Sequence, residues 1–70
     1  MKWIETEEGT YVLNTPIGQY KVTNWTDGYY SYLNNEVISR GKDLETAKEE
    51  ARTHLFTIFY RLKIFLELHE

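Results

Sequence analysis

The sequence predicts an α+β domain: an antiparallel sheet of three or four strands packed against one long C-terminal helix. The first observation behind this prediction is the alternation of side chains from Gln19 to Thr26, followed by Asp27-Gly28, a dipeptide typical of type I′ hairpins. The second is a run without Gly or Pro over 43–68, whose apolar residues recur at the period of a helix. We therefore expect one domain over residues 1–70, with the sheet over 2–40 and the helix over 43–68.

The strands are predicted from β-branched and aromatic residues that stand between turn residues. A short strand begins at Trp3-Ile4, and the stretch 10–14 is a second strand or the continuation of the first. Thr15-Pro16-Ile17-Gly18 and Asn34-Asn35 are predicted turns. They separate the remaining strands, over 19–26, 29–33 and 36–40.

The helix has a clear start and one apolar stripe. Asp43 is the expected N-cap, and acidic residues follow it in the first turns, where the helix dipole favours them. At about 100° per residue, one set of apolar positions falls on a single face that we expect to cover the sheet. This stripe consists of Leu44, Ala47, Ala51, Leu55, Ile58, Leu62 and Phe65.

A second apolar stripe, Phe56, Tyr60 and Ile64, lies well away from the first. A helix of about 25 residues spans roughly 37 Å, whereas strands of five or six residues span only about 17–20 Å. We therefore expect the end of the helix to overhang the sheet and to pair with a second copy in a two-fold homodimer. The predicted interface is Phe56, Phe59, Tyr60, Ile64, Phe65 and Leu68, together with Leu66.

A membrane is a less suitable cover for this helix. Its dense apolar run is shorter than the roughly 20 residues of a spanning helix, and Arg61, Lys63 and Glu67 interrupt it. The sequence predicts no membrane association.

The composition of the chain excludes several kinds of site and makes nucleic acid a less expected partner. The chain has no cysteine, which excludes disulfides and thiolate metal sites, and a core of 70 residues gains from oligomerisation. A net charge of −3 argues against a general phosphate-binding surface, so nucleic acid is not the expected partner. With no signal peptide at Met1-Lys2-Trp3, the expected location is the cytoplasm of a prokaryotic host.

No pattern indicates catalysis, a metal or a cofactor. His54 and His69 fit no zinc spacing, and the glycines stand alone at turns. We therefore expect a non-enzymatic protein. Aromatic residues of the sheet, Trp25, Tyr29, Tyr30 and Tyr32, form a possible partner surface, either for a protein or for stacked bases.

The segment Gly41-Lys42-Asp43-Leu44-Glu45-Thr46-Ala47-Lys48-Glu49-Glu50-Ala51 is similar to the entry into the helix of small phage-encoded proteins that pair a three-stranded sheet with one C-terminal helix. Trp3, Gly18-Gln19-Tyr20-Lys21-Val22 and Tyr30 also resemble the sheet of that family. The resemblance implies a mobile-element origin and inhibition of a host defence protein, as in anti-CRISPR proteins.

Ala47-Lys48-Glu49-Glu50-Ala51 also resembles the last helix of double-stranded RNA-binding domains. Those domains place lysines where this chain has acidic residues, which would repel phosphates.

Two functions stay open on the sequence. The first is a phage-type protein that binds and inhibits a host protein, namely a defence or nucleic-acid-handling factor. The alternative is a nucleic-acid or nucleotide-binding module that uses the sheet tyrosines.

Overall fold

The computed structural model of the chain describes residues 2–68, which form one sheet and one helix. The strands are β1 (Ile4–Glu7), β2 (Thr10–Thr15), β3 (Gly18–Trp25), β4 (Gly28–Leu33) and β5 (Glu36–Gly41), and the helix α1 is Leu44–Leu68. Each strand pairs antiparallel with its neighbour in sequence, so the sheet order is β1-β2-β3-β4-β5. The predicted α+β class is confirmed, whereas the predicted three or four strands are wrong, because the sheet has five.

The additional strand comes from the N-terminal segment, which reverses at Glu8-Gly9. Gly9 supplies a φ of 80° there, a conformation that glycine adopts without a steric penalty. All four residues of β1 are exposed, and its pairing with β2 shifts between Glu5 and Glu7. A strand that is exposed on both faces has no alternation of apolar and polar residues. Its sequence therefore does not show where it ends and where β2 begins.

The type I′ turn lies at Asn34-Asn35 and not at the predicted Asp27-Gly28. A type I′ turn needs positive φ at both central residues, and Asn34 and Asn35 have φ of 50° and 70°. The β3–β4 turn uses Thr26 and Asp27, which are not among the positive-φ residues, and Gly28 already pairs with Trp25. The predicted hairpin is therefore present, but its turn begins one residue earlier and has a different geometry.

The core lies between the sheet and the first half of α1, which crosses β3, β4 and β5. Leu13 and Tyr20 from the sheet pack against Ala51 and Leu55 from the helix. Ser31 is fully buried on β4, and its hydroxyl donates to the carbonyl of Ala47 at 2.9 Å. This bond satisfies the buried hydroxyl and ties the centre of the sheet to the helix.

The start of α1 is fixed by Asp43 and Gly41. The carboxylate of Asp43 accepts a hydrogen bond from the backbone N–H of Thr46 at 2.8 Å, which confirms the predicted N-cap. Gly41 lies under the first turn, where a Cβ atom would stand 2.9 Å from the backbone nitrogen of Ala47. A glycine is therefore required for the strand to pass this close to the helix.

The predicted core stripe is covered only in part. Ala47, Ala51 and Leu55 are buried, as predicted, but Leu62 and Phe65 are 48 % and 56 % exposed. The prediction that these two residues face the sheet is wrong, because the helix outruns the sheet. A helix of this length spans roughly 37 Å, and the molecule measures 47 × 20 × 18 Å.

Candidate protein-binding surface

The C-terminal half of α1, residues 56–68, projects past the sheet, and we call it the overhang. Ile58 is half-buried, and every other position of the overhang is exposed. The exposed apolar side chains include all seven residues predicted for the interface, Leu66 among them. They are Phe56, Phe59, Tyr60, Leu62, Ile64, Phe65, Leu66 and Leu68. An apolar surface of this extent on a small domain marks a binding site more often than a tolerated exposure.

The second stripe borders a groove on one side of the overhang. Phe56, Tyr60 and Ile64 line it together with Thr53, Thr57 and Arg61. The groove has a volume of about 530 Å³. Residues at i, i+4 and i+8 form a ridge of the kind that packs into the groove of a neighbouring helix. The predicted stripe therefore lines this groove.

Charged residues accompany this apolar surface. Arg61, Lys63 and Glu67 are all exposed on the overhang. Across residues 2–68, no helix is long and apolar enough to cross a membrane.

The face of the sheet away from α1 carries a second set of predicted residues. Trp25 is 55 % exposed and meets the ring of Tyr30 edge to face, with 6.5 Å between the ring centroids. Its indole N–H donates to the hydroxyl of Tyr32 at 3.1 Å. The Nζ atom of Lys21 lies 4.9 Å from the ring centroid of Tyr32, which is within range of a cation–π interaction. These residues form one aromatic patch.

A polar network anchors the edge of the aromatic patch. The Tyr30 hydroxyl donates to the Asp27 carboxylate at 2.9 Å, and an Arg40 nitrogen lies 3.4 Å from the same oxygen. The hydrogen bond from Tyr30 is the main cause that lowers the pKa of Asp27 and raises the pKa of Tyr30. The carboxylate is therefore ionised at neutral pH and offsets the charge of Arg40 beside the patch.

Tyr29 lies apart from the other three aromatic residues. Successive side chains of a strand point to opposite faces, so Tyr29 shares the helix side of β4 with Ser31, whereas Tyr30 and Tyr32 face away. The structure thus brings together Trp25, Tyr30 and Tyr32 and separates them from Tyr29.

His54 has a packing role. Its Nδ1 atom is 2.7 Å from the hydroxyl of Tyr20, and the two rings meet edge to face with centroids 5.7 Å apart. Burial raises the pKa of Tyr20, so the phenol stays neutral at physiological pH. Within residues 2–68, no group of three or more His, Cys, Asp or Glu is placed to hold a metal, and His69 lies outside the described residues.

Sequence reasoning missed two features near these surfaces. Leu62 belongs to the overhang, and the short strand lengths were the signal that the sheet would not reach it. Lys48 lies over the rings of Tyr11 and Trp3, with Nζ 4.7 and 5.9 Å from their centroids. This contact joins α1 to Tyr11 of β2 and to Trp3, which precedes β1, and nothing in the local spacing of Lys48 indicates it.

Comparison of the chain with protein-family models, curated proteins and solved structures finds no match. The resemblance to small phage-encoded proteins therefore stays a prediction.

Proposed function

We propose that this chain is a non-enzymatic protein-binding module that docks its partners on the overhang. The observation that carries this proposal is the exposure of large apolar side chains all around the end of α1. The first half of the same helix is anchored by buried residues, so the overhang is presented on a rigid support. A preorganised helix face loses little entropy on binding, which favours affinity.

A second copy of the chain is one proposed partner. Fully burying an apolar side chain contributes about 1.5–3 kcal/mol, and these side chains are about half exposed. If one side of each overhang is covered, each copy buries four side chains. These eight side chains each gain about half of that value, which amounts to about 6–12 kcal/mol in total. Association costs at least about 4 kcal/mol. The net gain is therefore at most about 8 kcal/mol, so we expect a weak homodimer with a Kd of about micromolar or higher.

A larger host protein covers more of the overhang than a second copy does, and it would displace the weak dimer. The resemblance to phage-encoded inhibitors makes a defence or nucleic-acid-handling factor of a prokaryotic host the proposed target. Inhibition would follow from occupation of the target surface. The acidic net charge of the chain favours a basic partner surface.

The self-association step is tested by sedimentation from micromolar to millimolar concentration. The unmodified chain should move from 8.4 kDa toward twice that mass as its concentration rises. Tyr60→Glu combined with Ile64→Glu should abolish the shift, because two carboxylates would enter the interface. Ile4→Glu with Thr6→Glu is the matched control, since both residues are exposed on the edge strand β1, away from the overhang. A monomer at every concentration would refute the homodimer.

The same variants test the host-protein role. In a pull-down from bacterial lysate, a genuine target is retained by the unmodified chain and by the edge-strand control but lost from the overhang variant. If every retained protein binds all three forms equally, the overhang is not the binding surface.

Nucleic-acid binding through the aromatic patch is the second candidate function. The observation that favours it is Trp25, half exposed beside Tyr30 and Tyr32 and near Lys21, an arrangement that allows bases to stack. Anisotropy of labelled single-stranded RNA and DNA at increasing salt tests it. If the cations Lys21 and Arg40 each meet one phosphate, the logarithmic salt slope should be about −1.4. Loss of this binding in Trp25→Ala would support the candidate, and no binding at low salt would exclude it.

A further inference from the structure

A second groove lies between β5 and the first half of α1, apart from the overhang. Strand β5 is an edge of the sheet, and an edge strand presents unpaired backbone N–H and C=O groups on its outer side. The flank of the helix rises beside this edge. The resulting groove has a volume of about 690 Å³, and its lining residues are Ile38, Ser39, Glu45, Thr46, Glu49, Glu50, Thr53 and His54.

The lining of this groove is acidic on the helix side and apolar at its floor. Glu45, Glu49 and Glu50 contribute three carboxylates, of which that of Glu49 accepts a hydrogen bond from Arg52 at 2.7 Å. Ile38 contributes an apolar surface that packs against the core. Among the described residues that line the groove there is no Lys or Arg. The Oγ atom of Ser39 is buried and has no hydrogen-bond partner among residues 2–68.

We propose that this groove binds an extended segment of another protein that carries Lys or Arg at alternate positions, and that the segment adds to the sheet beside β5. The exposed backbone of an edge strand gives such a segment its main-chain hydrogen bonds, and side chains on one face of the segment reach the groove. The carboxylates on the helix then select basic side chains.

The spacing of the carboxylates matches that of an added strand. Side chains on one face of a strand recur at intervals of about 6.6–6.8 Å. Glu45 and Glu50 stand five residues apart on α1, which is about 7.5 Å along the helix axis, whereas the carboxylate of Glu49 is paired with Arg52. A segment that runs along this flank therefore places successive basic side chains beside successive carboxylates.

A second copy of the chain does not suit this groove. Two copies paired through β5 would bring two acidic flanks together, which is unfavourable for molecules that each carry a net charge of −3. The groove and the overhang are thus complementary to different partners, although Thr53 lines the cavities of both.

The binding test uses a fluorescein-labelled peptide of about eight residues that alternates Lys and Thr. Anisotropy should show binding of this peptide and none of the analogue that alternates Glu and Thr. The same basic peptide, N-methylated at alternate residues on one edge, should lose binding, since it cannot pair with β5. Absence of binding by the basic peptide up to millimolar concentration overturns the proposal. Equal binding of the N-methylated form also overturns it, because charge alone would then explain the affinity.

Two variants of equal net charge locate the site. Glu45→Gln with Glu50→Gln should weaken peptide binding about five- to tenfold, as expected for two exposed ion pairs. Glu7→Gln with Glu8→Gln removes two exposed carboxylates outside the groove and the overhang and should leave binding unchanged. Hydrogen exchange should also show new protection of β5 amides with the peptide bound. Equal weakening by both variants, or no added protection, contradicts the assignment.

Discussion

The same substitution at two positions of one helical stripe should have very different effects on stability. Leu55 and Leu62 are both apolar members of the predicted core stripe, but Leu55 is 4 % exposed and Leu62 is 48 % exposed. Leu55→Ala leaves a cavity between helix and sheet and should lower the free energy of unfolding by about 2–5 kcal/mol. Leu62→Ala leaves no cavity, because water replaces the lost atoms, and should lower it by about 1 kcal/mol or less. Helix propensity contributes little to the contrast, because the change is from Leu to Ala at both positions.

Urea unfolding followed by circular dichroism measures this contrast. A domain of 70 residues has a total stability of about 3.5–10 kcal/mol, so Leu55→Ala removes a large part of it. Both variants should keep the m-value of the unmodified chain, since the surface exposed on unfolding changes little. The comparison is made well below the Kd found by sedimentation, where the proposed dimer is dissociated.

Concentration provides the second half of this test. If the overhang pairs with a second copy, the destabilisation by Leu62→Ala should grow as protein concentration rises, because association stabilises the folded state. The destabilisation by Leu55→Ala should stay constant. Equal losses for the two variants in the monomer would mean that residues 56–68 pack against the domain, and the overhang would be refuted.

Three further predictions concern the start and the packing of the helix. Asp43→Ala should lower the melting temperature, and Asp43→Asn should lower it less, because Asn keeps the capping bond but not the charge. The capping bond lowers the pKa of Asp43, so the contribution of the charge is present above the ordinary value of 3.8 and is lost as the pH falls through the lower folded value; a melting temperature that does not change over this range would contradict it. Gly41→Ala should cost about 1–3 kcal/mol in urea, because its Cβ would meet the backbone of Ala47; an unchanged midpoint would contradict the close approach. Tyr20→Phe should cost about 1 kcal/mol by the same measurement through loss of the bond to His54, and a neutral result would show that this bond does not stabilise the fold.

A prediction from a local pattern was confirmed where the residue type is favourable at one specific position of an element, such as the start of a helix. Asp43 is an example, since its carboxylate suits the free N–H groups of a helix start. The turn was predicted at Asp27-Gly28, but its central residues are Thr26 and Asp27. Gly28 has its positive φ as the first residue of β4, where it pairs with Trp25, and not within the turn. Asn34 and Asn35, which tolerate the left-handed conformation, adopt the I′ geometry instead.

The surfaces were predictable to different degrees. The overhang follows from two lengths that the sequence supplies, that of the helix and that of the strands, and the exposure of Phe56 and Tyr60 agrees with it. The acidic groove was not predictable, because it depends on which strand forms the edge beside the helix. Glu45, Glu49 and Glu50 alone have the pattern of an ordinary solvated helix face.

Each strand pairs with its neighbour in sequence, and this strand order favours rapid folding of the chain. Every pairing in the sheet joins segments that are adjacent in sequence, so each closes a short loop with a small loss of entropy. Topologies with such local pairings reach the native state rapidly among proteins that contain sheets. The side chains of residues 59–68 are exposed and lie outside the core between sheet and helix, so we expect substitutions there to leave the folding rate nearly unchanged. Substitutions there would redirect the choice of partner while the folding rate stays constant.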